Sequence, residues 1–357
     1  REKLQTEYDE LENKIAYYRD LLADPIKLEQ VLKDELTAIR DKYGDARRTE
    51  IQDVEEEINL EDLISEEENI FTLTNGGYIK RIAATEYRSQ GRGGKGIKAM
   101  STKEDDFVET VFSASSHDYL MFFTSTGRVF RKKGYNIPEA TRTAKGTNII
   151  NVIPIEPGEK VTAVIHTGDI ESTDKLLNMV TKNGTIKRLN AEQFKNVRTS
   201  GIRAISLDEG DELVSVIETS GSDNILIATH DGYAICFSED DVRLVGRTAM
   251  GVRGIKLRDG DYVVGAVRAD RDGMLLSVTE NGYGKRTAIS EYMRGDDVQH
   301  RGGMGIKNYN VTAKTGKVSA ARVVSDSDDV LIISDDGTMI RTGAETISVL
   351  GRSPQGV

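Results

Sequence analysis

The sequence predicts a mainly β protein in which six blade-like units form a toroidal domain behind a short α-helical arm. Three observations carry that expectation. Helical spacing of apolar residues occupies the first 49 positions, short β-branched runs broken by turn residues follow from Ile70 onward, and two landmarks recur with one period.

The arm comes first. Leu4, Tyr8, Leu11, Ile15, Tyr18 and Leu22 step by four and three residues, the seam of an amphipathic helix. Asp24-Pro25 then supplies an N-cap and a proline at the first helical position. Leu28, Val31, Leu32, Leu36, Ile39 and Tyr43 mark a second helix, with Gly44 expected to stop it in a left-handed conformation. A two-helix arm of this size is marginal alone, and a chain that begins at Arg1 reads as a piece of something longer. Residues 50–69 are rich in acids. They read as a solvated linker, or as an acidic strip that competes with DNA for a basic surface or packs on the β domain.

Residues 70–357 carry the repeat. Hairpin glycines stand at Gly77, Gly127, Gly184, Gly232, Gly282 and Gly337, at intervals of 48 to 57 residues. Turns such as Asn183-Gly184 and Asp231-Gly232 supply the positive φ that tight hairpins demand. The second landmark is an arginine four residues before a glycine, at Arg92/Gly96, Arg142/Gly146, Arg247/Gly251, Arg301/Gly305 and Arg352/Gly356, with a copy one residue shorter at Arg198/Gly201. Each of the first five loops leads into two strand-like stretches, so one unit is about four strands in roughly 50 residues. Sheets of this kind stack radially around a shared core. The ring is expected to close by pairing material from the two ends of the repeat region, which suppresses free edges.

Charge is unevenly placed. The net charge of −11 comes from residues 1–69, which hold 10 Lys/Arg against 22 Asp/Glu, while residues 70–148 hold 13 basic and 7 acidic residues. A local basic surface is what an electrostatic DNA footprint requires. The one cysteine, Cys236, lies in an apolar run, excludes an internal disulfide framework and fits a reducing, cytoplasmic setting. No apolar run reaches the roughly 20 residues of a membrane span.

The chemistry-bearing stretch is Gln90-Gly91-Arg92-Gly93-Gly94-Lys95-Gly96. It matches G-x-G-x-x-G in form, but no helix opens after it, and no Ser or Thr follows Gly-Lys as a Walker loop needs. Its glycines let backbone N–H groups approach phosphates while Arg92 and Lys95 neutralise charge. One such loop reads equally well as an ordinary connector. Six in register point to duplex DNA, because basic hairpins adjoin them at Lys80-Arg81, Arg128, Arg131-Lys132-Lys133, Lys187-Arg188 and Lys285-Arg286. With Arg142, Lys145, Arg198, Arg247, Arg301 and Arg352 from the loops, these residues make a track along one perimeter. His117, His166, His230 and His300 are too scattered for a metal site, the acidic clusters fit no calcium loop, and no nucleophilic or catalytic constellation is visible. A protein-binding blade scaffold is the rival reading.

The residues also carry a family resemblance. Gln90–Gly96 resembles the box that marks the C-terminal domain of the bacterial DNA gyrase A subunit. Glu61-Asp62-Leu63-Ile64, Gly77-Tyr78-Ile79-Lys80-Arg81, Ser116-His117-Asp118, Gly127-Arg128-Val129 and Pro138-Glu139-Ala140-Thr141-Arg142 are similar to that family too. Lys42–Glu50 looks like its exit from the coiled-coil arm. The resemblance implies a six-bladed β-pinwheel that wraps duplex DNA and presents a positive crossing for negative supercoiling. It implies an A2B2 type II topoisomerase with a second A subunit, in which the B subunit hydrolyses ATP and ATP and Mg act through other domains. The cleaving tyrosine would lie upstream, leaving no catalytic residue, cofactor or metal in this stretch. The family's box usually carries arginine where this chain has Gly91, so Arg92 and Lys95 carry more of the contact. The related topoisomerase IV A subunit, which has a degraded box and wraps weakly, is the alternative within the resemblance.

Overall fold

A computed structural model describes residues 1–45, 49, 60–86, 106, 108–141, 143–168, 175–270, 272–293, 297–333 and 339–357. Two compact units divide the chain, Arg1–Asn59 and Leu60–Val357.

In the first unit, α1 (Glu2–Ala23) and α2 (Pro25–Tyr43) meet at Asp24, whose extended backbone (φ −123°) breaks the helix. The Asp24 carboxylate accepts from the Ile26 N–H at 3.0 Å, and Pro25 occupies the position where a missing N–H costs nothing. Gly44 departs from expectation. It is extended (φ −71°, ψ 119°) rather than left-handed, and its N–H already satisfies the Arg40 carbonyl at 2.6 Å without reversing the chain. Neither helix buries a residue within this unit, and among the described residues no helix is long and apolar enough to cross a membrane.

The second unit is built from hairpins. In chain order, β1 (Glu68–Thr74), β2 (Tyr78–Ala83) and β3 (Val108–Ser115) open it. Then come β4 (Tyr119–Thr124), β5 (Arg128–Lys133), the short β6 (Thr147–Asn148) and β7 (Val161–Thr167). The third group is β8 (Leu176–Thr181), β9 (Thr185–Asn190), β10 (Ile202–Arg203) and β11 (Leu213–Thr219). The fourth is β12 (Asn224–Thr229), β13 (Tyr233–Ser238), β14 (Val252–Arg253) and β15 (Val263–Arg268). The fifth is β16 (Met274–Thr279), β17 (Gly284–Ala288), β18 (Ile306–Lys307) and β19 (Val318–Val324). The chain finishes with the hairpin β20 (Asp329–Ile333) and β21 (Met339–Gly343).

Sequence groups and sheets do not coincide. The sheets run β3-β1-β2-β6, β7-β4-β5-β10, β11-β8-β9-β14, β15-β12-β13-β18, β19-β16-β17 and β20-β21. Each short outer strand leaves its own hairpin and pairs with the hairpin before it, as when Thr147 of β6 faces Ile79 of β2. The repeat is therefore locked by exchange between neighbours. Counting sheets corrects the expected six four-stranded blades. Among the described residues there are five sheets of three or four strands and a sixth unit that is a two-stranded hairpin. Val357 exchanges both backbone hydrogen bonds with Gly284 in the fifth sheet, and among the described residues no strand of the first sheet pairs with β20 or β21.

Strands in the middle of each sheet are buried on both faces, and side-chain alternation divides their residues between two neighbours. Leu120 and Phe122 of β4 pack with Phe71, Ile79 and Phe130, whereas Met121 and Phe123 pack with Leu177, Met179 and Phe194. Ile225 and Ile227 of β12 face the third sheet, and Leu226 and Ala228 face the fifth. The core is thus a series of layers between sheets. Residues 60–69 join this unit: Glu61 pairs with Lys133 at 2.7 Å, and Glu66 accepts from the Ser115 hydroxyl at 2.8 Å.

Candidate nucleic-acid interface

The basic residues sort by where the exchange of outer strands places them. Lys80 of β2, Lys187 of β9 and Lys285 of β17 hold one position in the first, third and fifth hairpins, and each is 0 % exposed. Their ammonium groups are spent on backbone carbonyls. Lys187 donates to Ala204 (2.5 Å), Ala249 (3.2 Å) and Arg247, and Lys285 to Gly351 (2.6 Å), Arg352 (2.7 Å) and Pro354 (3.0 Å). Lys80 donates to Thr141 (3.3 Å) and Ala144 (3.0 Å). Burial lowers the pKa of Lys80, and lowers those of Lys187 and Lys285 to about 8, with Arg247 adding to the effect at Lys187.

The neighbouring arginines are similarly committed. Arg81 donates to the Ile137 carbonyl at 2.9 Å and pairs with Glu139 at 3.2 Å. Arg188 is buried beside Glu239 and pairs with Asp240 at 3.1 Å, while Arg286 donates to Ile347 at 2.9 Å and pairs with Asp326. Lys80, Arg81, Lys187, Arg188, Lys285 and Arg286, expected as phosphate contacts, are thus engaged within the fold among the described residues. Each places donors on protein oxygens, although Arg188 Nε is left without a partner, and a buried charge stripped of such partners is costly.

In the second hairpin, Arg128 pairs with the fully buried Glu159 at 3.1 Å and donates to the Ser200 carbonyl at 2.8 Å. Lys133 lies between Glu61 and the His117 carbonyl (2.9 Å), and both it and Arg131 cover the Tyr119 ring. Lys132 is half-buried on the same strand.

The loops behave differently. Gly146 and Gly251, at φ +83° and +105°, sit where an added Cβ would meet the carbonyl oxygens of Ile79 and Ile186 at 2.6 and 2.5 Å. Only glycine permits this approach, so the backbone at Gly146 and Gly251 lies directly against the preceding hairpin. Exposed Arg198 and half-buried Arg247 line a cleft of about 620 Å³ together with Arg131 and Arg203. Four guanidinium groups around one open cleft favour an anion. Arg301 is pinned to the Asp241 carbonyl at 2.8 Å and Arg352 reaches the Lys307 carbonyl at 3.5 Å, so their geometry is fixed from within. Lys145 covers the Tyr78 ring at 3.8 Å. Gln90, Gly91, Arg92, Gly93, Gly94, Lys95, Gly96 and Arg142 lie outside the described residues.

The structure adds cations that sequence reasoning passed over. Arg203, Arg253 and Lys307 end the short outer strands β10, β14 and β18, and each is exposed beside a half-buried Ile or Val. A signal existed: glycine, then an apolar residue, then a cation, at Gly201-Ile202-Arg203, Gly251-Val252-Arg253 and Gly305-Ile306-Lys307. Alternation in a two-residue strand sends the apolar side chain inward and the cation to the edge. Among the described residues no group of three or more His, Cys, Asp and Glu is arranged to hold a metal ion.

The same hairpin groups recur in known proteins. The family model for the DNA gyrase C-terminal domain, a β-propeller, matches residues 68–115, 118–167, 177–220, 223–270, 273–325 and 328–357. The DNA gyrase A subunit of Clostridium acetobutylicum is 52 % identical over the whole chain, and that of Staphylococcus aureus strain Mu50 is 44 % identical. The chain spans 42 % and 40 % of those relatives' lengths. Among solved structures, a DNA gyrase A C-terminal domain superposes with a TM-score of 0.66 at 30 % identity, covering 82 % of this chain and 94 % of its own. The C-terminal domain of a DNA topoisomerase IV gives 0.69 at 26 % identity, covering 82 % and 89 %. Six matched repeats that coincide with the hairpin groups, together with relatives similar from end to end, place the chain in the family of DNA gyrase A C-terminal domains.

Proposed function

We propose that this chain binds duplex DNA without reading its sequence and bends it along the outer edges of the sheets. In the longer protein that bend presents a positive crossing to a type II topoisomerase, an A2B2 assembly whose B subunit hydrolyses ATP to drive negative supercoiling. One observation supports the reading most strongly. Equivalent short outer strands end in exposed Arg203, Arg253 and Lys307, so cations recur with the period of the sheets.

The energetics set the requirement. Bending 20–30 bp through 40–90° costs roughly 1–6 kcal/mol, and several phosphate contacts must exceed that. Contacts to phosphate carry no base information and release counterions, so binding is tolerant of sequence and steeply salt-dependent. Gln90–Gly96 belongs to this reading as the fullest of the perimeter loops. Replacing Arg92 and Lys95 by alanine lowers the salt slope by about two and reduces bending of an end-labelled duplex measured by energy transfer. An unchanged energy-transfer signal removes that loop from the contact.

The topoisomerase IV likeness supports a weaker variant, in which Gly91 leaves the loop one cation short and the wrap shallow. Mobility of a short duplex at low salt separates both readings from a protein-binding scaffold, which shifts no DNA.

A further inference from the structure

The third residue after the hairpin glycine alternates around the domain. It is Lys80, Phe130, Lys187, Ile235 and Lys285 in the first five hairpins. Every loop that follows packs on the preceding hairpin, but by two different means. The loop at Gly201 rests on the Phe130 ring, where an added Cβ would lie 2.6 Å from a ring carbon, and the loop at Gly303 lies against Ile235. Loops 141–146, 246–251 and 351–356 are instead held by ammonium groups.

The match of donors to acceptors is specific. An ammonium carries three N–H donors and no acceptor. Lys187 meets three carbonyls, two of them, Arg247 and Ala249, from the loop that follows the fourth hairpin. Lys285 meets three carbonyls, all from the loop around Arg352. Each lysine thus grips a loop that left the next hairpin and came back, and in each case a gripped carbonyl belongs to the loop arginine itself.

We propose that Lys187 and Lys285 are positioning residues: each ammonium in one sheet latches the arginine-bearing loop of the next, fixing Arg247 and Arg352 at the outer edge where phosphates pass. Lys80 latches the loop at Thr141 and Ala144 in the same way. The proposal rests on the DNA-bending reading above, because it assigns the loops a duty only in that context. The lysines themselves touch no DNA.

Proton loss weakens the latch. A neutral amine has two N–H donors for three carbonyls, so one carbonyl loses its donor and the grip on the loop weakens. At Lys187 burial is reinforced by the facing Arg247 guanidinium. At Lys285 burial and the facing Arg352 work against the Glu291 carboxylate, which favours the charged form. Both sites release their proton at about pH 8, below exposed lysines.

The test uses the whole chain with Lys187→Met and Lys285→Met, singly, beside the unaltered chain. Amide exchange is followed across the sheets and loops, and bending of an end-labelled duplex is followed between about pH 7 and 9. The latch predicts faster exchange confined to residues 246–251 or 351–356 in the matching variant. It predicts bending that needs roughly 2- to 30-fold more protein at pH 7. It also predicts that bending by the unaltered chain weakens with a midpoint near pH 8, a step that is reduced in each variant. Unchanged loop exchange and unchanged bending in the variants overturn the proposal, as does flat bending by the unaltered chain across that range. Failure of the unaltered chain to bend DNA at any pH defeats the functional reading, and loop exchange still decides the latch. If a variant does not fold, the pH profile of the unaltered chain decides.

Discussion

The ammonium of Lys285 lies 3.0 Å from the carbonyl oxygen of Pro354, a residue 69 positions further along the chain. That contact joins the fifth sheet to the loop after the sixth hairpin, and it typifies how the domain is held. The first four sheets are completed by a short strand that belongs to the next group, and the loop around Arg352 is seated by a lysine of the fifth sheet. The consequences are measurable.

Removing a latch destabilises the fold as well as the loop. Lys285→Met takes the ammonium donor away from the carbonyls of Gly351, Arg352 and Pro354. The loss of unfolding free energy is about 1–3 kcal/mol, read from the urea midpoint at constant slope. An unshifted midpoint shows that water replaces the lysine at no cost.

Global stability and pH follow a sign opposite to that of bending. Lys187 and Lys285 release their protons at about pH 8 when folded, against 10.5 as the ordinary value. Between those values the unfolded chain binds more protons, so these two groups make unfolding harder as pH rises from about 8 to about 10.5. The comparison is made by urea titration, with Lys187→Met and Lys285→Met as controls lacking the corresponding terms. A decline in their contribution over that window contradicts the linkage.

Acid acts through Glu159. Burial pushes its carboxyl up, but hydroxyl donors from Thr124 and Thr126, the Glu156 N–H and the Arg128 guanidinium together hold it below the ordinary value. Its contribution is present above the ordinary carboxylate range and is lost as pH falls through its folded value. Glu159→Gln is therefore less stable by about 1–3 kcal/mol at neutral pH, with the difference shrinking in acid. An equal difference at pH 7 and pH 3 argues against it.

Cys236 is a packing residue. Burial raises its thiol to about 12, so a thiol reagent modifies it only when the chain unfolds, at the rate of global unfolding. Rapid labelling of the native chain at neutral pH contradicts its place in the layer between the fourth and fifth sheets.

The sequence exposed the periodicity because hairpin turns need glycine at Gly77, Gly127, Gly184 and Gly232, and turn chemistry is local. It exposed the helical arm for the same reason: Asp24-Pro25 is a break that needs no tertiary context. Strand exchange was not legible, since nothing in Thr147-Asn148 names β2 as its partner. The burial of the lysines was hidden by that gap. Lys187-Arg188 on a hairpin resembles a surface pair until the loop from the next group folds back over it and supplies carbonyls. Arg203 and Arg253 were missed because a single cation after an apolar residue carries no weight until the edge position repeats.

The most direct measurement of DNA wrapping relaxes a nicked or topoisomerase-treated circle in the presence of the chain, reseals it and reads the linking number. The account predicts a trapped positive change that grows with the amount of chain bound, shrinks steeply with salt, and falls when Arg203 and Arg253 are replaced by alanine. A linking number equal to that of the circle relaxed alone, with the chain demonstrably bound, contradicts it.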